Sequence, residues 1–262
     1  FGTAEFSAIV LEKLILAGMP PAFIICNPDR PVGRKKIFTP PPVKIIASRN
    51  RIEVRQPETL DGEVLGSGWD FFVVASYARI LPPEVLSIPK LGVIGVHPSL
   101  LPKYRGSSPI QTAILAGDEE FGVTLYLLDE KIDHGSILAS SIIKNQKSAI
   151  RYADLLKKLA EVGGNLLIET IPSFMKGEVK PMPQDESQAT YTRKFRVEDG
   201  YVDLEKDAPA EIERKVRALN PEPGVWTIQN GRRMKILEAD VAGDKLQLKK
   251  IQFEGKKPVV LA

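Results

Sequence analysis

The chain contains two histidines, His97 and His134, and each sits in a stretch whose residue types could carry proton chemistry. The first stretch, Val96 to Gly106, reads Val-His-Pro-Ser-Leu-Leu-Pro-Lys-Tyr-Arg-Gly and follows a continuous apolar run. His97 therefore stands at the carboxyl end of a buried strand, where open α/β sheets place their sites. An imidazole there can exchange protons near neutral pH; it can equally be a structural residue at a strand edge. The second stretch, Leu128 to Gly135, reads Leu-Asp-Glu-Lys-Ile-Asp-His-Gly between two strand-like runs. Three carboxylates beside a lysine also describe an ordinary solvated loop. Asp133 is the suggestive member, because an aspartate paired with a histidine can help polarise a carbonyl and relay a proton. No Cys/His cluster has ligand spacing, so no metal is expected.

The elements that must position these residues are legible in the apolar pattern. Phe6 to Leu16 has helical spacing and ends at Gly18, and Ala22 to Cys26 reads as a short buried strand. Asn27 to Pro42 is a loop rich in Pro, Arg and Lys, and Val43 to Ser48 begins a helix. Asp70 to Ala75 and Gly92 to His97 are buried strands, Ser108 to Ala116 is helical, and Gly122 to Leu128 and Ser136 to Ile143 are strands. Tyr152 to Met175 is a long amphipathic helix. Strands alternating with helices, with continuous apolar strands, predict an α/β domain whose sheet is largely parallel and covered on both faces. The chain opens on Phe1-Gly2-Thr3, which reads as the end of a strand entering a tight turn.

Composition changes beyond the long helix. Met182 to Lys206 is polar and reads as a linker. Ala210 to Leu219 is a short helix. Four strand-like runs follow, separated by Asn230-Gly231, Gly243-Asp244 and Glu254-Gly255 turns. The expected organisation is an α/β domain over residues 1–183, a linker over 184–206 and a small C-terminal β-barrel over 207–262. The single cysteine, Cys26, lies in an apolar run, reads as a buried small hydrophobe, rules out a disulfide framework and favours a reducing compartment. A hydrophobic content of 43% and a charged content of 26% are those of ordinary globular proteins, and no apolar run is long enough to span a bilayer. The net charge of +3 is too small to imply nucleic acid by itself, so its distribution matters.

The segments His97-Pro98-Ser99-Leu100-Leu101-Pro102 and Asp133-His134-Gly135 resemble the folate-dependent formyltransferases. Within that superfamily the chain is most similar to the methionyl-tRNA formyltransferases. The likeness to them is carried by Asn27 to Arg34 (Asn-Pro-Asp-Arg-Pro-Val-Gly-Arg), Pro42-Val43-Lys44, Ser108-Pro109-Ile110-Gln111, Gly122-Val123-Thr124 and Arg217-Ala218-Leu219-Asn220-Pro221. The resemblance runs in order along nearly the whole chain. It implies a Rossmann-like formyltransferase domain followed by a small OB-like domain. The implied reaction is transfer of a formyl group from 10-formyltetrahydrofolate to the amino group of methionyl initiator tRNA, without a metal, by a cytoplasmic monomer of bacterial type. His97 matches the catalytic histidine, a donor to the developing oxyanion, and Asp133 matches the catalytic aspartate that orients it. Ser99, Leu100, Leu101 and Pro102 match the turn against which the folate lies. Arg79, Ile80 and Leu81, with Leu128 and Ile132, match segments lining the pteridine pocket; Ile80, Leu81 and Leu128 would look the same as plain core residues.

Two features bear on rate and substrate. The resemblance places an asparagine, a second oxyanion donor, where this chain has Gly95. Loss of one such donor typically costs about a hundred- to a thousandfold in rate, so a slow enzyme is implied. Arg30, Arg34, Lys35, Lys36 and Lys44 crowd a short window opposed mainly by Asp29. Alone such a run reads as a solvated loop; its resemblance to an inserted tRNA loop implies an acceptor-stem contact. Two other classes compete: a sugar-nucleotide N-formyltransferase, which should lack the basic loop, and a non-catalytic RNA-binding relative, suggested by Gly95.

Overall fold

A computed structural model describes residues 1–33, 35–144 and 149–261. The chain forms two compact units. One comprises Phe1–Arg105, Gly122–Ile143 and Leu156–Thr190, and the other Gly106–Phe121, Lys144–Leu155 and Tyr191–Ala262.

The sheet that carries the site has four strands in the order Phe72–Ala75, Val93–His97, Glu120–Leu127, Ile137–Lys144. All five residues of Val93–His97 are buried, which is why its sequence is an unbroken apolar run ending in histidine. A second, two-stranded sheet pairs Phe23–Ile25 in parallel with Glu53–Arg55. The first residues of the chain join the two sheets. The Gly2 amide donates to the Ile25 carbonyl at 3.0 Å, and the Ala75 amide donates to the Phe1 carbonyl at 2.9 Å. Phe1 to Thr3 thus behaves as the strand end that the sequence suggested.

The expectation of a largely parallel sheet needs adjustment at the centre. Val93–His97 is parallel to Phe72–Ala75 and antiparallel to Glu120–Leu127. The connection after His97 returns to the end of the sheet it left, with Thr124 opposite His97, so the next strand must run back. The predicted helices are present as Glu5–Leu16, Pro42–Arg49, Pro109–Ala116 and Tyr152–Met175. In the last of these, Leu156, Leu159, Ala160, Leu167, Ile171 and Phe174 are buried at helical spacing, and the Phe174 ring meets Phe71 edge-on at 6.2 Å. One apolar cluster packs Ile25, Phe72, Tyr77, Leu81, Val85 and Val93 together, and a second packs Leu11, Ile24, Cys26, Val43 and Ala47.

The segment expected to be a loop from Asn27 to Pro42 contains a hairpin, Arg30–Val32 antiparallel to Ile37–Thr39. Val32 and Ile37 give it β-branched residues, and Gly33, at φ 71°, enters its turn. Two short helices, Gly62–Leu65 and Pro83–Leu86, went unread because each is a single turn and too short to show a period.

In the second unit, Val225–Gln229, Arg232–Ala242, Lys245–Phe253 and Val259–Val260 form an antiparallel sheet in sequence order. Helix Pro209–Leu219 buries Ile212, Val216 and Leu219, and the sheet buries Val225, Met234 and Ile236. Asn230 and Gly231, at φ 50° and 70°, make the first turn, as the Asn-Gly pair predicts. Among the described residues the first and last strands are not paired with each other. This part is therefore a small antiparallel sheet with one helix.

Candidate active site

His97 is the last residue of its strand and is buried. Its Nε2 lies 2.9 Å from the Tyr104 carbonyl. A carbonyl only accepts, so Nε2 carries the hydrogen and donates it. In the neutral ring Nδ1 is then the proton acceptor, and it lies 3.6 Å from Asp133 Oδ2. The two residues singled out from separate stretches of sequence thus face each other. Tyr104 is held for this by a bond from its amide to Thr190 Oγ1 at 2.8 Å.

Asp133 sits at φ 49°, in the left-handed region that aspartate tolerates better than most residues. Its backbone is clamped from outside the loop. The Gln184 side-chain amide donates to the carbonyls of both Asp133 and Gly135, at 2.9 and 2.8 Å. Gln184 Oε1 in turn accepts from Arg105 Nε and a terminal guanidinium nitrogen at 3.0 and 2.7 Å. Arg105 is fully buried and pairs with Glu186, whose carboxyl it holds below the usual range. Gly135 closes the loop at a point where a Cβ would run into the Leu127 carbonyl. His134 faces away from His97 in its bonding: its Nδ1 meets Asp129 Oδ2 at 2.5 Å.

On the opposite side of Asp133, the Tyr126 hydroxyl donates to Oδ1 at 2.6 Å. Tyr126 is directly across the sheet from Gly95. A Cβ on Gly95 would lie 2.6 Å from Tyr126 Cζ, nearer still to Cε1, and 2.7 Å from Leu128 Cδ1. The space beside Gly95 is therefore filled by an aromatic ring. Burial, and then the Asp133 carboxylate, push the Tyr126 phenol well above its ordinary range.

The turn after His97 is tied down by one threonine. Thr124 Oγ1 donates to the Ser99 carbonyl at 2.7 Å and accepts from the Leu101 amide at 3.1 Å. Ser99 Oγ donates to the Lys103 carbonyl, Leu101 is buried, and Leu100 and Pro102 are half-buried. The other residues matched to the folate pocket separate by environment. Leu81 lies inside the core, and Leu128 packs against it. Ile80 and Ile132 are 82% and 60% exposed. Arg79 donates to the Pro57 and Glu58 carbonyls at 2.9 and 2.6 Å, which fixes the loop before Ile80 to its neighbour.

In the basic segment, Arg30, Lys35 and Lys36 are exposed on the hairpin, and Arg34 lies outside the described residues. Lys44 is engaged within the protein: its ammonium donates to both Asp29 oxygens at 2.8 and 2.9 Å and to Gln56 at 2.7 Å. Among the described residues no group of three or more His, Cys, Asp or Glu side chains is placed to hold a metal ion, and no helix is long and apolar enough to cross a membrane.

Comparison with known proteins gives this geometry a family. Residues 1–171 match the family described as Formyl transferase, and residues 194–249 match Formyl transferase, C-terminal domain. The chain is a formyl transferase family member. Among curated relatives it is 42% identical to the methionyl-tRNA formyltransferase of Chloroflexus aurantiacus, over 92% of this chain and 79% of that protein. It is 39% identical to the methionyl-tRNA formyltransferase of Staphylococcus aureus, over 92% of this chain and 78% of that protein. Solved formyltransferases share the fold. An N-formyltransferase from Helicobacter canadensis in complex with folinic acid and dTDP-3-aminofucose aligns with a TM-score of 0.69 at 20% identity, over 99% of this chain and 96% of that one. The methionyl-tRNA formyltransferase from Clostridium thermocellum aligns with a TM-score of 0.58 at 17% identity, over 80% of this chain and 91% of that one.

Three residues of this formyltransferase that bear on the site were not singled out from sequence: Tyr126, Gln184 and Arg105. Tyr126 looked like any aromatic residue in a buried strand, and only the register with Gly95 reveals where its ring goes. Gln184 lay in a polar stretch that read as linker. Arg105, two residues after Lys103, looked like one more surface charge, and its buried state depends on partners 79 and 81 residues away.

Proposed function

We propose that this formyltransferase moves the formyl group of 10-formyltetrahydrofolate to the amino group of methionyl initiator tRNA, acting as a monomer. The observation that carries the reading is the His97–Asp133 pair, with Nδ1 and Oδ2 3.6 Å apart at the carboxyl end of the central strand, in a chain 39–42% identical to methionyl-tRNA formyltransferases. The amine attacks the formyl carbon, and negative charge develops on the formyl oxygen. The bond from that carbon to N10 of the folate then breaks. One proton leaves the attacking nitrogen and one arrives at N10. The only proton-accepting position on the neutral His97 ring is Nδ1, so His97 takes up a proton there, and the Asp133 carboxylate faces the charge that results. Once protonated, Nδ1–H is a donor available to the oxyanion.

Ser99 to Pro102, with exposed Ile80 and Ile132, are the surfaces we assign to the folate. The fit is chemical: apolar side chains cover a flat ring, and a turn with fixed backbone groups meets its polar edge. Arg30, Lys35 and Lys36 on the hairpin, together with Arg34, are assigned to the tRNA phosphates, whereas Lys44 serves mainly to anchor the hairpin's base through Asp29. The small C-terminal sheet is read as a reduced OB-like domain.

The test is a formyl-transfer assay with charged initiator tRNA and a nucleotide-linked amino sugar side by side. Transfer to the tRNA alone is expected, with His97→Ala and Asp133→Asn each inactive though folded. Transfer to the sugar, or near wild-type turnover in either variant, would overturn the assignment.

A further inference from the structure

Gly95 and Tyr126 form a directly opposed pair across two central strands, and they are complementary in volume. Opposed side chains in an antiparallel pair share one face of the sheet at close range. Any residue larger than glycine at position 95 would overlap the phenol ring. With glycine there, the ring reaches over position 95 and delivers its hydroxyl to Asp133 Oδ1 at 2.6 Å. The other carboxylate oxygen, Oδ2, is the one that faces His97. The two oxygens thus have separate partners, and the tyrosine bond fixes which one the imidazole meets. The His97 and Tyr126 rings stand edge to face with centroids 6.5 Å apart, so the ring also walls the pair.

Building on the formyl-transfer reading, we propose that Tyr126 is a positioning residue for the reaction: it acts through Asp133, and Gly95 is small in order to admit its ring. The tyrosine bond to Oδ1 holds the orientation in which Oδ2 faces His97; with the hydroxyl removed, that constraint is lost. Because the phenol is held protonated by burial and by the neighbouring carboxylates of Asp133 and Asp129, it remains a donor throughout the neutral range. Among the described residues the His97 ring also faces it. The clamp from Gln184 acts on the backbone of the loop, and the Tyr126 bond acts on the carboxylate itself.

Two measurements test this. In the transfer assay, Tyr126→Phe should lower kcat roughly ten- to a hundredfold, the range set by a hydrogen bond to a charged group, with folate and tRNA KM unchanged. Unchanged kcat, or a loss confined to KM, would refute the positioning role. The second measurement needs no activity. Carbon-13 labelling of the tyrosine ring, with Tyr126→Phe used to assign the signal, follows the Tyr126 phenol through pH titration. It should stay protonated in wild type where ordinary tyrosines ionise, near pH ~10, and ionise at lower pH in Asp133→Asn. An identical titration in both proteins would overturn the contact. Should wild type transfer no formyl group at all, the functional reading fails alone, and the titration still decides the Tyr126–Asp133 pairing. Gly95→Ala, which displaces the ring while keeping the hydroxyl, covers the case of a Tyr126→Phe protein that does not fold; it should lower kcat by the same factor, and full activity there would count against the proposal.

Discussion

Substituting Gly95 by asparagine distinguishes a missing donor from an occupied space. Were the position simply vacant, an asparagine amide would add a donor to the oxyanion and raise the rate by up to about a hundredfold. The structure points the other way. The new Cβ alone would lie 2.6 Å from Tyr126 Cζ and 2.7 Å from Leu128 Cδ1, and the amide needs more room again. Leu128 can turn its methyl aside, but the Tyr126 ring is tied to Asp133 and cannot yield without breaking that bond. Overpacking of this kind costs about 1–3 kcal/mol. For a chain of this size each kcal/mol lowers Tm by about 2–4 °C, so a fall of roughly 2–12 °C is expected. Displacing the ring also breaks its bond to the Asp133 carboxylate, and transfer should fall roughly ten- to a hundredfold rather than rise. Single-turnover transfer and thermal unfolding, measured on one preparation, read both effects. Adding Tyr126→Leu to the variant removes the overlapping ring atoms and should recover most of the lost Tm. A Gly95→Asn protein with unchanged Tm and a faster reaction would refute the reasoning, because it would mean that the ring does not occupy this space in solution.

Three further outcomes can be measured. Gln184→Ala removes the amide that clamps the Asp133 and Gly135 carbonyls and the acceptor of Arg105, so kcat should drop at least about fivefold, with faster amide hydrogen exchange at residues 133–136. Arg34→Ala should weaken tRNA binding far more than folate binding and make the slope of log affinity against log salt shallower by about one unit, which filter binding across salt would detect; an unchanged slope removes Arg34 from the phosphate contacts. The bond from Arg193 holds the Asp199 carboxyl below its ordinary value of 3.8. A depressed folded value means the pair contributes stability above that ordinary value and loses it as the pH falls further toward the folded one. Urea unfolding of Arg193→Gln at neutral and strongly acid pH should therefore show a smaller acid-induced loss than wild type.

Local pattern determined most of the elements here and singled out the histidine and aspartate of the site. The buried strand ending in His97 follows from five consecutive residues that avoid exposed polarity, and helix Tyr152–Met175 follows from apolar residues three and four apart. The turns at Asn230-Gly231 and Gly117 follow from residues that adopt positive φ. The motif residues His97 and Asp133 were visible because their flanking sequences are distinctive. What tertiary structure alone decided is how those residues are used. Strand register is a long-range property, so nothing local to Ile94-Gly95-Val96 says that Tyr126 stands opposite and fills the space. The same holds for Gln184, which reached the Asp133 loop from about fifty residues away in sequence, inside a stretch whose polarity looked like that of any linker. Gly95 read from sequence is a donor lost; read in the sheet it is the opening that lets a tyrosine reach the aspartate, because the volume at one position is fixed by the side chain that packs across from it.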